Sequence, residues 1–402
     1  MKHYLLVAAA TMLFNCAHSQ PKLYLNLTSH NEMSGEDYDT DSVLFTTSTG
    51  HVRDIAQLVV TKNAKWNFQT NSKYVLAVHK YQHADTSHSD ILEWMHNTGR
   101  VTIDPRPKKQ PPIYNYNIAD VVYLLDSAGV PDSRTVGGFL YYPYSSADWT
   151  PYLTPVIGVR YGNSWQAQIL WGAGSTPPHS HDARNFGIWK PTGATDSVAF
   201  FTHNPAGNVW VEGNGCSAVL YDTSNPVAVF NAVKQAANNI ASGTWPGNRF
   251  YCMSVMINQR DFSAPFTTKV ATLLDSINTL VTQNKVVWAS IREKFDTFQT
   301  WSTLTGTPYS QWGCDETAPT QTGNIPSKVI PTITNPFSDN LLLHFPVATT
   351  YYLYDMTGKL LRYGNTASST TIDTRDLTDG NYLLHIVSTS IQSKHLIVKQ
   401  SK

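Results

Sequence analysis

Residues 266–291, FTTKVATLLDSINTLVTQNKVVWASI, hold one complete structural unit. Val270, Leu273, Leu274, Ile277, Leu280 and Val281 recur at three- and four-residue spacing, which predicts a helix with one apolar face. The apolar run after Lys285 predicts a strand, and REKFDTFQTW (292–301) a closing helix. A helix that feeds a strand is the repeating unit of α/β folds.

The same alternation continues towards the N-terminus. KLYLNLTSHNE (22–32), KWNFQTN (65–71), RVTIDP (100–105), TVGGFLYY (135–142) and RFYCMSVMINQ (249–259) read as strands. HVRDIAQLVV (51–60), HSDILEWMHNTG (88–99), NIADVVYLLDSAGV (117–130) and PVAVFNAVKQAANNIASG (226–243) read as helices. Residues 143–225 read as loop-rich, with short β-like pieces VIGVRY (156–161), SVAFFTHN (197–204) and NVWVEGNG (208–215). Such alternation calls for a parallel sheet, either a barrel or doubly wound. Several strands end in polar residues: Ser29 to Glu32, Asn67 to Gln69, Asp104, and Asn258-Gln259. A barrel gives these a common destination, because its sites lie at the carboxyl ends of its strands. Nothing matches GxGxxG or GxxxxGK[ST], so a nucleotide site has no support.

The 402 residues are 41% hydrophobic and 12% aromatic, enough for a sizeable core. Acidic and basic residues balance at 29 each, leaving no basic excess to neutralise a nucleic acid. Eleven Trp and 21 Tyr fit a β-rich aromatic core or a groove for sugar rings, which stack on indole and phenol faces.

The N-terminus reads as a signal peptide over residues 1–19. Lys2 and His3 precede the apolar YLLVAAATMLF, and AHS gives a small-x-small cleavage site. The apolar run is too short to span a bilayer, so the mature chain is expected to have no transmembrane segment. A lipoprotein reading at Cys16 is disfavoured by the bulky Asn15 before it. Of Cys216, Cys252 and Cys314, the first two are the expected disulfide.

Residues 302–328, rich in Thr, Pro and Gly, read as a linker. From 329 to 402 short strand-like runs alternate with turn residues, which predicts a small all-β, immunoglobulin-like sandwich. Four matching pieces run through this tail in order: TNPFSDNLLL (334–343), YDMTGKLL (354–361), DLTDGNYLLHI (376–386) and KHLIVKQ (394–400). On them the tail resembles the C-terminal sorting domain of type IX secretion substrates of Bacteroidota. That resemblance implies the secretion machinery as a partner, export across both membranes, and a tail that is cleaved or used for surface attachment.

Residues 20–301 resemble the polysaccharide deacetylase-like superfamily through LTSHNE, KWNFQ, TIDP leading into YNYNIADVVYLL, and VVWASIREKFDTFQTW. The resemblance implies a distorted (β/α)7-type barrel acting on a polysaccharide. The chain departs from the family at its metal ligands: His30 and Glu32 stand where a pair of aspartates is usual, and Arg106-Pro107-Lys108-Lys109 follows TIDP.

The candidate chemistry is distributed along the chain. His30 and Glu32, two apart at a strand end, point to one side; they can ligate a metal, act as acid and base, or form a solvated end. Asp104 is an acid candidate or a turn cap. Arg106 can hold an anionic sugar or belong to a solvated basic loop. His179, His181 and Asp182, in PPHSHDARNFGIWKP, can supply ligands to zinc or a similar divalent ion, with His203 as a partner. Glu212 facing Glu32 or Asp104 would make a two-carboxylate glycosidase. Trp66, Trp171 and Trp189, with Trp149, Trp165 and Trp210, are stacking candidates for a glycan. The expectation is an exported carbohydrate-active protein. It is either a hydrolase with Glu32, Asp104 or Glu212 as catalytic groups, or a glycan-binding or adhesion protein without turnover.

Overall fold

Eight residues, Leu23–His30, form strand β1, on which the first sheet is built. The computed structural model describes residues 21–31, 37–82, 89–106, 116–139, 150–172, 186–193, 197–213, 215, 220, 223–312, 332–333, 335–344, 349–356, 359–366, 369–387 and 392–400. The chain divides into two units, Met1–Ala318 and Pro319–Lys402.

In the first unit β1 is followed by α1 (Ser42–Thr61), β2 (Trp66–Thr70), α2 (Ser72–Tyr81), α3 (Ile91–Asn97), β3 (Val101–Pro105), α4 (Ile118–Ser127) and β4 (Thr135–Phe139). Then come β5 (Val156–Ile157), β6 (Ser164–Trp165), β7 (Ile169–Gly172), β8 (Phe186–Trp189), α5 (Ser197–Phe201) and β9 (Trp210–Glu212). The unit ends with α6 (Pro226–Ala241), β10 (Tyr251–Met256), α7 (Ala264–Thr282), β11 (Val286–Trp288), α8 (Ile291–Thr305) and β12 (Ser310–Trp312).

The first sheet is parallel, in the order β10-β1-β2-β3, with β11 also on β1. Strand parity explains how β1 holds three neighbours. Leu23 donates to Lys285 and Leu25 accepts from Ala289, either side of β11, while Leu27 donates to Lys65 before β2. These odd-numbered groups share one edge; Thr28 accepts from Ile257 on the other, along β10. In the second sheet β4, β7 and β9 are parallel, and β8 and β12 add antiparallel strands in the order β12-β8-β9-β7-β4. The unit is therefore a mixed α/β structure with parallel-strand sheets.

Strands β1, β2, β3 and β10 of the first sheet each have an apolar and a polar face. Leu23, Leu25 and Leu27 share one core with Val52, Ile55 and Val59 of α1 and with Leu273, Leu274 and Ile277 of α7. The alternate positions carry Asn26, Thr28 and His30 on β1, Asn67 and Gln69 on β2, Asp104 on β3, and Cys252 and Ser254 on β10. This polar face meets the second sheet: Trp171 of β7 donates to Ser254, and Cys252 donates to the carbonyls of Gly187 and Gly213. Helix α8 packs into the same region, with Ile291, Phe295 and Phe298 in one core with Trp171, Ile188 and Cys252. Its start is a Ser290–Glu293 capping box, and Gly306 at φ 66° ends it.

Several expectations are corrected. The β-like reading of 197–204 gives way to α5, because Phe200 and Phe201 pack against Trp189, whose indole donates to the Phe200 carbonyl. The linker does not start at 302, since α8 runs to Thr305 and β12 pairs with β8. Strands β7 and β8, ILWG and FGIW, are too short to show a period of their own and take theirs from their neighbours. Cys252 is a free buried thiol, so the expected bridge to Cys216 is not formed; Cys216 and Cys314 lie outside the described residues.

The second unit is all-β. Its strands are β13 (Thr332–Ile333), β14 (Asn340–His344), β15 (Thr349–Asp355), β16 (Leu360–Thr366), β17 (Ser369–Asp373), β18 (Gly380–Val387) and β19 (Gln392–Lys399). They form two antiparallel sheets, β13-β14-β17 and β16-β15-β18-β19. One core of Phe337, Leu341, Leu343, Leu353, Ile372, Leu384, Ile386 and Ile397 joins them. Lys399 is buried at its margin because its ammonium donates to the carbonyls of Thr374 and Leu377, at 2.6 and 2.5 Å.

Two glycines test this architecture in opposite directions. Gly187 has φ +103°, and a Cβ there would run into the backbone carbonyl of Ser310 across the β8–β12 pair. Gly50 lies inside α1 with nothing near a Cβ. Gly187→Ala should therefore destabilise by at least about 1–2 kcal/mol. Gly50→Ala should stabilise by up to about 1 kcal/mol, both read by chemical denaturation.

Candidate functional site

A continuous hydrogen-bond chain crosses the interior between the two sheets. Asp104 accepts from Asn67 Nδ2 at 2.8 Å, and Asn67 Oδ1 accepts from Asn26 Nδ2 at 3.1 Å. Asn26 Oδ1 accepts from Ser254 Oγ at 2.7 Å. Ser254 Oγ in turn accepts from Trp171 Nε1 at 3.0 Å and from Lys294 Nζ at 3.4 Å. Lys294 completes the path with an ion pair to Glu212 at 2.5 Å, both side chains wholly buried. The Ser254 hydroxyl thus uses its one donor and both acceptor positions.

The two carboxyls at the ends of this chain have shifted acidities. Burial pushes Asp104 from its ordinary 3.8 to about 6, although its hydrogen bonds from Ser133 and Asn67 pull the other way. Burial pushes Glu212 from 4.5 to about 7; Lys294 opposes this and the charge of Asp104 adds to it. Glu212 Oε2 has no hydrogen-bond partner. An unsatisfied buried polar atom costs about 1–3 kcal/mol, so an occupant that bonds to it is favoured. Burial also raises the Cys252 thiol to about 12, assisted by Glu212, so it is not a nucleophile at neutral pH.

A second polar layer lies at the carboxyl ends of the strands. His30 ends β1, Gln69 lies near the end of β2, and Arg106 follows β3. They converge on Gly137 and Gly138 of β4. A Cβ on Gly137 would lie 2.5 Å from Gln69 Cδ, and one on Gly138 would collide with His30 and Arg106. The His30 ring meets Trp171 edge-on at 5.9 Å. Its Nε2 and both polar atoms of the Gln69 amide lack hydrogen-bond partners. Burial holds the His30 pKa well below its usual value, and the charge of Arg106 lowers it further.

The structure thus brings together Asp104, Glu212, His30, Arg106 and Trp171 of the residues singled out from sequence. It separates His203, whose Nδ1 accepts from the Lys190 N–H at 3.1 Å and whose ring stacks on Tyr309. Trp66 and Trp189 are corrected from stacking platforms to core. Both are 0% exposed, and their indoles donate to Ser29 and to the Phe200 carbonyl. Trp171, 1% exposed, contributes its N–H to the interior chain instead of an open ring face. Glu32, His179, His181 and Asp182 lie outside the described residues.

The described residues do not fit a zinc ion. Among them no three His, Cys, Asp or Glu come together. The available imidazoles also have cationic neighbours: Arg106 is beside His30, and Lys190 beside His203.

Lys294, Asn26 and Ser254 were missed from the sequence, and Asn67 was read only as part of a polar strand end. Lys294 had a visible signal, since it shares the spacing of Ile291, Phe295 and Phe298 and so falls on the apolar face of its helix. Asn26 and Ser254 also carried one, as polar residues alternating within apolar strands.

Residues 333–400 match the family described as secretion system C-terminal sorting domain. The tail is thus a type IX sorting domain, which implies interaction with that machinery and a destination outside the cell or on its outer surface. In the described residues no helix is long and apolar enough to cross a membrane. No curated protein matches the chain. Among solved structures, 4-alpha-glucanotransferase from Thermococcus litoralis is similar with a TM-score of 0.42 and 9% identity, over 69% of this chain. The match spans 40% of that enzyme. An engineered protein aligns over 95% of this chain and 94% of its own, at 9% identity and a TM-score of 0.23.

The shifted acidity of Glu212 has a measurable signature. A buried carboxyl should titrate near pH 7 by difference infrared spectroscopy and vanish in Glu212→Gln. Its folded-state pKa lies above its unfolded one, so its stabilising contribution is complete below about pH 4.5 and lost as pH rises through about 7. A carboxyl titrating near pH 4 would contradict this assignment.

Proposed function

We propose that the first unit is a carbohydrate-active domain that hydrolyses a polysaccharide outside the cell, on a distorted (β/α)7-type barrel. Its site lies at the carboxyl strand ends. Two observations of the sheets support the barrel: Gly137 of β4 lies against Gln69 of β2, and Cys252 of β10 donates to Gly187 of β8. The observation that carries the functional reading is the carboxyl pair Asp104 and Glu212 in one interior, both with raised pKa, below the unpartnered Nε2 of His30 and the Gln69 amide.

Hydrolysis of a glycosidic bond needs a carboxylic acid that stays protonated near neutrality and a second carboxylate. Glu212 is the proton donor to the departing glycosidic oxygen in this reading, through its unpartnered oxygen, and the carboxylate so formed takes the proton of the water that attacks the anomeric carbon. Lys294 holds the other oxygen and fixes the carboxyl plane. Asp104, clamped by Ser133 and Asn67, supplies negative charge that stabilises an oxocarbenium-like transition state. His30, Gln69 and Arg106 hold sugar hydroxyls or an anionic substituent. Metal-dependent deacetylation would draw its ligands from Glu32, His179, His181 and Asp182, which lie outside the described residues.

A glycan-binding protein without turnover is the second reading. It is favoured by the same clamps: both oxygens of Asp104 are hydrogen-bonded, and Glu212 is tied to a lysine.

A polysaccharide panel assayed for new reducing ends and for released acetate separates them. The expected result is reducing ends from one polysaccharide, falling at least about 100-fold in Glu212→Gln with binding retained. Binding without turnover would establish the second reading, acetate release would reinstate deacetylation, and absence of any glycan binding would overturn both proposals.

A further inference from the structure

At the amino end of β9 lies an open pocket of about 340 Å³, away from the carboxyl strand ends. Its size falls at the lower end of the range for small-ligand sites, roughly 300–1,000 Å³, enough for one or two sugar rings. Trp210 and Phe298 supply an apolar wall, and Lys190, His203, Gln299 and Ser302 supply polar groups.

Three of these polar groups, His203, Lys190 and Ser302, are fixed in orientation. His203 Nδ1 accepts from the Lys190 N–H, so the neutral ring carries its proton on Nε2 and donates from there. The ring lies flat on Tyr309, with centroids 4.1 Å apart and planes inclined by 10°. The Lys190 ammonium lies 4.7 Å over the Trp210 ring and donates to the Pro205 carbonyl at 3.3 Å. That carbonyl takes one of three donors, and no carboxylate among the described residues pairs with the charge. On α8, Ser302 donates to the Thr307 carbonyl, which leaves its oxygen as an acceptor.

A half-buried cation, an oriented N–H donor, a hydroxyl acceptor and an aromatic wall are complementary to a ring with an apolar face, hydroxyls and a negative charge. We propose that this pocket is a second binding site of the first unit that takes an acidic sugar residue, a uronate or a sulfated sugar. Trp210 and Glu212 alternate on the same face of β9, so one short strand reaches the pocket at one end and the interior carboxyls at the other. The sugar part of the assignment rests on the carbohydrate-active reading; the anion part rests on Lys190 and His203 alone.

Titration of the full mature chain with trigalacturonate, a sulfated galacto-oligosaccharide and neutral galactotriose, followed by calorimetry and tryptophan fluorescence, tests the site. The expected result is at least about tenfold tighter binding of one acidic ligand than of the neutral one. Lys190→Gln and His203→Gln should each remove most of that preference, and Lys190→Arg should keep it. Thermal melting confirms that each variant is folded. Equal affinity for acidic and neutral ligands, no binding of either acidic ligand, or full binding by Lys190→Gln would overturn the proposal. Because turnover is read from Glu212→Gln and acidic preference from Lys190→Gln, either reading can fail while the other stands.

Discussion

The ammonium of Lys294 is wholly removed from water, and an unpaired charge in that position would not be tolerated. A Glu212 oxygen, which accepts from it in either protonation state, and the hydrogen bonds to Met253 and Ser254 satisfy it. Those partners belong to two different sheets, so one side chain ties α8 to both. Removing one member of such a buried pair typically destabilises by about 3–5 kcal/mol, which makes this contact a condition of the first unit's architecture. Its geometry in turn depends on the Ser254 hydroxyl, whose three hydrogen bonds extend the path to Asn26, Asn67 and finally Asp104.

A polar interior of this kind explains why candidate chemistry and structural support are hard to separate here. The hydrogen bonds that make Asp104 and Glu212 tolerable in the interior also hold them in fixed orientations. Burial raises both pKa values towards neutrality, the range in which a carboxyl can exchange a proton. The layer above differs, because His30 Nε2 and the Gln69 amide are buried without partners. Together with the unpartnered Glu212 Oε2, these atoms mark where an occupant would gain most.

Much of this was legible in the chain. The helical spacing in 266–282 gave α7, and the polar strand ends placed His30, Gln69 and Asp104 on one side of the sheet. The tail was legible in most detail, because its turn residues and strand motifs are local. Local pattern failed where partners decide. ILWG and FGIW carry no period of their own, and SVAFFTHN became a helix because its phenylalanines pack on Trp189. Trp66 and Trp189 looked like any other tryptophan in sequence; only neighbours that cover both ring faces make them core.

The sequence by itself determined the alternation of strands and helices, the change of pattern in the tail and its sorting-domain character, because these rest on periodicities and motifs within a few residues. The tertiary structure decided which polar residues meet. Asn26, Asn67, Ser254 and Lys294 lie up to 268 positions apart; backbone pairing within the first sheet sets the register of the first three, and Lys294 reaches them from α8. It also separated His203 from His30, by giving one imidazole a tyrosine and a lysine and the other a tryptophan and an arginine. Distance and burial determine whether a titratable group is a ligand, an acid or a structural tie, and neither is encoded in spacing along the chain.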